Sequence, residues 1–149
     1  MNKRKISKNS KITRFSCIRC QAMSVKTRRD SKYCADLCRV QESNDRKEAG
    51  FTHRVCKGTQ RDVREYFRNA ISALDYGRLG SIRFDIEEWL ERLTTADIQK
   101  QEFDGILIYH YPHIKKAPFD VYLTDSMAGK LKSTMGMQAS LPKIIGKSK

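Results

Sequence analysis

The stretch CIRCQAMSVKTRRDSKYCADLCR, residues 17–39, holds four of the five cysteines of the 149-residue chain. They form two close pairs: two residues separate Cys17 from Cys20, three separate Cys34 from Cys38, and thirteen lie between the pairs. A Cys-x-x-Cys turn directs both sulfurs at one centre, and a Cys-x-x-x-Cys spacing at a helix start does the same. Four thiolates so arranged predict a closed tetrahedral zinc site, with a four-sulfur iron site as the competing metal centre.

Length and composition limit the class of protein. With 39% apolar residues, the chain can bury one core and carry a smaller module beside it. It has no apolar run of about 18 residues for a membrane span, and its basic start leads to Cys17 and Arg19 instead of the apolar core of a signal peptide. We therefore expect a cytoplasmic protein with no membrane partner, in which close cysteine pairs bind metal instead of forming disulfides.

The second half of the stretch resembles a treble-clef zinc finger. Residues 28–39, RRDSKYCADLCR, are similar to the helix entry of such fingers in small bacterial and phage proteins, and CIRC at residues 17–20 matches their zinc knuckle. Ala35 stands where the family usually has Ser. The resemblance is confined to residues 15–48 and implies that the four cysteines bind zinc. It leaves function open, because treble clefs serve nucleases, nucleic-acid binders and protein adapters alike.

The net charge of +13 is concentrated towards the beginning of the chain. Residues 1–60 hold 16 Lys/Arg against 5 Asp/Glu, residues 61–104 hold 7 against 10, and residues 105–149 hold 7 against 2. A surface this positive attracts anionic partners, usually nucleic acid, although a basic surface kept for solubility is the alternative explanation. The cations expected to contact phosphates lie around the second cysteine pair: Lys26, Arg28, Arg29, Lys32, Arg39, Arg46 and Lys47.

Patterning beyond the cysteines predicts helices followed by strands. The expected segments are a basic arm at 1–14, the zinc module at 15–48, a linker at 49–58, a helical and β-hairpin domain at 59–125, and a basic tail at 126–149. The fold class is therefore α+β, with an N-terminal treble-clef-like zinc module, a small helical layer and a C-terminal β-hairpin.

Three helices and two strands are expected within the central domain. Apolar residues at steps of three and four predict the first helix, with Thr59 and Asp62 at capping-box spacing and Gly77 as its stop. A second helix is expected from Asp85, and a short third one over ADIQKQEF, residues 96–103. The runs GILIYHY and FDVYL change to β-branched and aromatic residues with period two, which predicts the hairpin.

The favoured function is nucleic-acid binding, with DNA preferred to RNA, by a bacterial or phage regulator or accessory factor. Gln41 and Asn44 are the candidates for reading base edges if their helix enters a major groove. The alternative is a protein-binding adapter or an inhibitor of a host protein, with the acidic segment 85–104 as its docking patch. No small-molecule substrate is indicated.

Catalysis is not expected from this sequence. A nuclease is the least favoured function, because His53, His110 and His113 lack the Asn or Asp partners of a metal-nuclease motif, and no phosphate-binding glycine loop is present. A second metal site at His53 and Cys56 is a weaker interpretation than an ordinary histidine and a half-buried cysteine.

Overall fold

The structure, a computed structural model, describes residues 14–25, 28, 30–71, 77–94 and 99–140, with side chains up to residue 135. In chain order its elements are β1 (Arg14–Ser16), β2 (Met23–Val25), α1 (Asp36–Glu48), β3 (Phe51–Gly58), α2 (Gln60–Ala70), α3 (Arg78–Arg92), β4 (Gln99–Phe103), β5 (Ile106–His110), β6 (Phe119–Thr124) and α4 (Asp125–Ser140). β1 and β2 form a small antiparallel hairpin, and the other four strands form an antiparallel sheet in the order β3-β6-β5-β4. The prediction of a mixed α and β protein is confirmed.

The middle of the four-stranded sheet is covered on both faces. Successive residues of a strand point to opposite faces. Ile108 and Val121 therefore join the main core with α2, α3 and α4, whereas Leu107 and Tyr109 join a second cluster on the other face, which Ile18 of the cysteine segment also contacts. Because both faces are covered, every residue of β5 is buried, which explains the nearly continuous apolar run in its sequence.

The predicted hairpin forms the middle of this sheet. β5 and β6 are antiparallel neighbours, and β4 and β3 extend the sheet on either side of them. The structure therefore corrects the expectation of a two-stranded C-terminal hairpin. A two-stranded hairpin is marginally stable in water, and the additional strands and the second covered face supply what it lacks.

The segment predicted as a linker is strand β3, which is a correction. β3 pairs with β6, but its register shifts between Phe51 and His53 and again between Arg54 and Cys56. Each such bulge reverses the faces of the residues that follow, so the alternation of apolar and polar residues is lost from the sequence. Gly50 adopts a positive φ of 88° at the turn from α1 into the strand, a conformation that favours glycine.

The start of α2 agrees with its sequence pattern. The Thr59 side chain accepts a hydrogen bond from the Asp62 backbone N–H, and the Asp62 carboxylate accepts one from the Thr59 N–H at 2.7 Å. The predicted capping box is therefore confirmed. α2 ends at Ala70, earlier than the predicted stop at Gly77, and Gly77 instead precedes α3; residues 72–76 lie outside the described part.

Two further elements differ from the sequence predictions. α3 begins at Arg78 instead of Asp85, and its residues Ile86 and Leu90 face the core. Gln99–Phe103, predicted as helical, forms the edge strand β4, and residues 95–98 lie outside the described part. The sequence QKQEF is polar because one side of this edge strand is open to solvent, which also protects the edge from pairing with other chains.

The predicted tail contains a helix. α4 begins directly after β6, where the Thr124 hydroxyl accepts a hydrogen bond from the Met127 N–H at 3.2 Å. Met127 and Leu131, four residues apart, are buried in the main core. Interspersed glycine and lysine residues hide this helical pattern in the sequence. Residues 141–149 and residues 1–13, which make up most of the predicted arm, lie outside the described part.

Candidate metal centre and adjoining cationic cleft

The first cysteine pair lies in the tight turn between β1 and β2. The Cys17 N–H donates to the Ala22 carbonyl at 2.9 Å, and the Gln21 N–H donates to the Cys17 carbonyl at 2.9 Å. Gln21 has a positive φ of 60°, which reverses the chain immediately after Cys20. The turn thereby brings the two sulfurs of the pair to one side of the hairpin.

The second pair lies at the start of α1. Cys34 precedes the helix by two residues, and Cys38 lies in its first turn. The N-cap, Ala35, makes no side-chain capping hydrogen bond, as expected for a residue without a polar side chain. Because Cys34 and Cys38 lie at the start of α1, the positive end of the helix dipole is beside them, where it favours thiolates.

The four cysteine sulfurs form one cluster. All four Sγ atoms lie within 4.8 Å of one another, and the Cys34 sulfur is 3.5 Å from that of Cys20 and 3.6 Å from that of Cys38. A zinc–sulfur bond of about 2.3 Å places the sulfurs of a regular tetrahedron about 3.8 Å apart. The four cysteines are therefore positioned to bind a metal ion. Within the described residues, no other group of three or more metal-ligating side chains is present.

The thiols of the cluster do not ionise alike. Burial alone would raise the pKa of Cys17, but hydrogen bonds from the backbone N–H groups of Cys20 and Cys34 outweigh it and lower the pKa to about 7. Hydrogen bonds with neighbouring thiols, that of Cys20 first, raise the pKa of Cys34 to about 12. Four thiolates this close repel one another unless a cation lies between them, and a divalent metal would supply that charge.

A buried carboxylate connects the cysteine segment to the sheet. Glu42 of α1 is 3% exposed and accepts hydrogen bonds from Tyr109 Oη at 2.8 Å and from Lys100 Nζ at 2.6 Å. Arg19, inside the first cysteine turn, donates to Glu42 at 3.2 Å and to Asp45 at 2.5 Å. Burial opposes ionisation of Glu42, but the bonds from Lys100 and Tyr109 lower its pKa overall. The first cysteine turn is therefore fixed to α1, and α1 to the sheet, by paired charges.

Beside the metal centre lies a cleft of about 780 Å³ between α1, the loop before it and the strands β3 and β6. We call it the cationic cleft after five of its lining residues: Arg28, Lys32, Arg39, Arg46 and Arg54. Three tyrosines, Tyr33, Tyr111 and Tyr122, also line it, together with Asp30, Asp36 and Asp120. Cys34 belongs to its wall, so the cleft adjoins the metal centre directly.

Only some of the cations predicted from the sequence line the cationic cleft in the structure. Arg28, Lys32, Arg39 and Arg46 line the cationic cleft, and residues 26 and 29 lie outside the described part. Lys47 is exposed on α1 but does not line the cleft. The Cζ atom of Arg46 lies 4.0 Å from the centre of the Tyr122 ring. The Nε atom of Arg39 lies 3.5 Å from Oδ1 of Asp36.

Sequence reasoning missed Arg54 as a member of this surface. It lies on β3, in the segment interpreted as a linker, and no neighbouring motif marks it. Only the pairing of β3 with β6, opposite Tyr122, places it beside the cations of α1. A basic residue in a segment with no recognised strand pattern carries no signal that could have assigned it to the site.

Lys32, predicted to contact phosphate, is paired with a buried carboxylate of the sheet. Its ammonium donates to the buried Asp120 carboxylate at 2.6 Å and lies 4.5 Å from the centre of the Tyr111 ring. Asp120 is 2% exposed, so without Lys32 it would be a buried and uncompensated charge.

Replacing this lysine should therefore destabilise the protein. Lys32→Ala is expected to lower the free energy of unfolding by about 2–3 kcal/mol, less than the 3–5 kcal/mol typical of a fully buried pair, because the Lys32 side chain is 19% exposed. Arg39→Ala, whose partner Asp36 is exposed, should cost about 0–1 kcal/mol. Urea unfolding of both variants measures the difference, and equal losses would contradict the structural role of Lys32.

The three histidines have different surroundings. His53 is exposed on β3 and pairs with Asp125, His110 is buried at the end of β5, and His113 stacks on Phe15 with ring centres 5.0 Å apart. They lie on separate elements, and residues 53 and 56 belong to no metal-ligating group within the described part of the chain. These positions favour structural roles.

Comparison of the chain with protein-family models, with curated proteins and with solved structures finds no match. Across the residues that the structure describes, no helix combines the length and the apolar character needed to cross a membrane. The metal centre and the cationic cleft are therefore the features that bear on function.

Proposed function

We propose that this is a zinc-stabilised nucleic-acid-binding protein. Two features support zinc as the metal: all four donors are thiolates, and their spacing suits a tetrahedron with no open position, as in structural zinc sites. The order of a cysteine turn in a hairpin, a loop, and a helix that begins between the last two cysteines supports a treble-clef-like module. Metal analysis of protein purified under reducing conditions should give one zinc per chain, and iron in its place would contradict the choice of metal.

One observation carries the nucleic-acid proposal. Four arginines from three separate segments converge on the cationic cleft: Arg28 from the loop, Arg39 and Arg46 from α1, and Arg54 from β3. Five cations and three acidic residues line the cleft, so the choice of arginine, more than net charge, favours a phosphate ligand. Arginine is the side chain best suited to phosphate, because its planar fork donates two parallel hydrogen bonds. We propose DNA before RNA, and a regulator or accessory factor before an enzyme.

Purification without added nuclease tests the proposal at low cost. The ratio of absorbance at 260 and 280 nm is read before and after a salt wash. Nucleic acid that accompanies the protein and is removed by salt is the expected result, because phosphate contacts weaken steeply with ionic strength. A ratio typical of protein alone in both fractions would count against nucleic-acid binding.

The loop cations provide a quantitative prediction. Changing Arg28 and Arg29 together to alanine should flatten the log–log salt slope for duplex binding by about 1.8, at about 0.9 for each phosphate that the protein no longer neutralises. The zinc content should stay the same, because neither residue is a ligand. Fluorescence anisotropy at several salt concentrations measures the slope.

A matched control separates these contacts from total charge. Lys115 and Lys116 are adjacent, exposed cations of the β5–β6 loop that do not line the cationic cleft. Changing both to alanine removes the same charge and should leave the slope nearly unchanged. Equal slopes in the two double variants would place the nucleic acid elsewhere on the protein.

Exposed apolar side chains favour a second candidate function, docking to another protein. Leu37 and Val40 of α1 are 66% and 44% exposed, and Phe84 of α3, next to the acidic segment, is 66% exposed. An adapter or inhibitor that docks through such residues would bind with little dependence on salt. Salt-insensitive capture of a protein partner, with no nucleic-acid binding, would favour this function over the first.

A further inference from the structure

The shape of the charged surface favours one kind of nucleic acid. Proteins read duplex DNA mainly by inserting a protruding helix or β-ribbon into a groove. On α1, Gln41 and Asn44 lie on the exposed side, where Lys47 is the neighbouring cation. Arg39 and Arg46, in contrast, lie seven residues apart on the side that lines the cleft. The arginines of α1 therefore face a concave surface, which suits an extended single strand better than a duplex.

Aromatic rings accompany the arginines in the cleft. Tyr33 and Tyr122 line it and are partly exposed, and Tyr111 lies buried at its floor. Arg46 lies over the Tyr122 ring, 4.0 Å from its centre. Unpaired bases stack on aromatic rings and on the planes of arginine side chains, whereas the bases of a duplex are already stacked on one another.

The cleft also contains polar atoms without partners. Asp120 is 2% exposed, and among the described residues no donor pairs with its Oδ1 atom, although Lys32 pairs with Oδ2. The Nε atom of Arg46 is also buried and has no acceptor in the described part of the chain. Buried polar atoms are usually hydrogen-bonded. A ligand that offers a donor would satisfy Asp120 Oδ1, and the edge of a nucleic-acid base offers N–H donors.

We propose that the cationic cleft binds an unpaired nucleotide of a single-stranded nucleic acid. Its base stacks against Arg46 above Tyr122, and the flanking phosphates contact Arg28, Arg39 and Arg54. An N–H group on the base edge donates to Asp120. This inference rests on the proposed nucleic-acid-binding function and specifies the form of nucleic acid that the site takes.

The test compares a single strand with its duplex. Fluorescence anisotropy is measured with a labelled oligonucleotide of about 12 nucleotides, a length within the usual site sizes for single strands, alone and annealed to its complement. The full-length, zinc-loaded protein should bind the single strand about tenfold more tightly than the duplex at the same salt concentration. Equal or tighter binding of the duplex would overturn this inference and leave the proposed function standing, whereas no binding of either would overturn both.

Three variants locate the contact. Arg46→Ala should weaken single-strand binding by about tenfold, as expected when a base no longer stacks. Lys47→Ala removes the same charge from the next position of α1, outside the cleft, and should weaken it less than about threefold, because a charge that contacts no phosphate acts only through screened attraction at a distance. Arg46→Lys keeps the charge but not the planar surface, so most of the weakening should persist while the salt slope stays the same. Equal effects of Arg46→Ala and Lys47→Ala, or full binding by Arg46→Lys, would overturn stacking in the cleft.

A further arm distinguishes nucleic acid from other polyanions. Polyglutamate presents carboxylates of similar charge density but has no bases to stack. It should compete poorly with the labelled single strand at equal charge concentration. Displacement of the strand by polyglutamate as effectively as by unlabelled strand would identify the cleft as a site for acidic peptides and overturn the inference. Circular dichroism and zinc content of each variant confirm that its fold is intact.

Discussion

Removing the metal should unfold the cysteine segment, residues 15–48, while α2 and α3 keep their structure. Structural zinc contributes roughly 10–16 kcal/mol of apparent binding free energy in small finger peptides. We expect no other contact of the segment to contribute as much to its stability. Its own apolar contribution is small, since Phe15 and Cys17 are its buried hydrophobic residues within the described part of the chain. α1 should therefore detach from the sheet when a chelator takes the metal.

Hydrogen exchange resolved by segment measures this directly. The amides of α1 should lose protection after chelation, and those of α2 should keep theirs. Trp89, which lies against Phe103 on the other side of the sheet, should show nearly unchanged fluorescence. Cys34→Ser should reproduce the effect, whereas Cys56→Ser, at the cysteine outside the cluster, should not. Unchanged protection of α1 in metal-free protein would show that the segment folds without the metal.

Truncating Phe67 should cause a large loss of stability in the main core. The Phe67 side chain is 1% exposed and packs between α2 and the sheet, so Phe67→Ala is expected to cost about 3–5 kcal/mol. Ile71→Ala, at another fully buried position, should cost about 2–5 kcal/mol. Total stabilities of single domains are typically about 5–15 kcal/mol, so either change could unfold much of the protein at 37 °C.

Another phenylalanine of the same chain provides the control. Phe84 of α3 is 66% exposed, and Phe84→Ala should change the free energy of unfolding by no more than about 0.5 kcal/mol. Urea unfolding followed by circular dichroism gives both values. If Phe67→Ala and Phe84→Ala melted alike, the apolar face of α2 would have to contact something outside this chain.

Local chemistry made some of the structure predictable. The spacing of the cysteines predicts that they converge, because each short turn brings the two sulfurs of its pair to the same side. Thr59 and Asp62 predict the start of α2, because a capping box needs residues only three positions apart. These features depend on neighbours in sequence, and the structure contains them as expected.

The missed elements depend on partners distant in sequence. β3 has no regular alternation because two bulges interrupt it, and it is a strand only because β6 lies beside it. β4 is a polar edge strand whose pairing with β5 outweighs its weak intrinsic preference. α4 has glycine and lysine residues among its apolar residues, and its helix is stabilised by Met127 and Leu131 in the main core.

In the cationic cleft, too, some residues could be predicted from their neighbours in sequence and others depend on distant partners. Arg28, Arg39 and Arg46 could be nominated because they accompany the cysteines in sequence. Arg54 could not, since it joins them only through the pairing of β3 with β6. The structural use of Lys32 was also hidden, because its partner Asp120 lies 88 positions away. Surface charge can be read from composition, but whether a given cation is free to bind depends on the tertiary contacts of its side chain.

The four-cysteine cluster and the cleft share one helix. Arg39 and Arg46 belong to the helix whose first turn carries Cys38, and Glu42 of the same helix is fixed to Tyr109 and Lys100 of the sheet. A bound metal would therefore fix one wall of the cleft, and the sheet provides the other with Arg54 and Tyr122. A structural ion at this position would preorganise the arginines for a partner, which lowers the entropic cost of binding.

The salt dependence of nucleic-acid binding tests the central claim most directly. The affinity of the zinc-loaded protein for a labelled single strand is measured by anisotropy across a series of salt concentrations. If Arg28, Arg39 and Arg54 each contact a phosphate, the plot of log affinity against log salt should be linear with a slope of about −2, at about 0.7 for each contact with a single strand. No binding at low salt, or a slope near zero, would contradict a function carried by the cationic cleft.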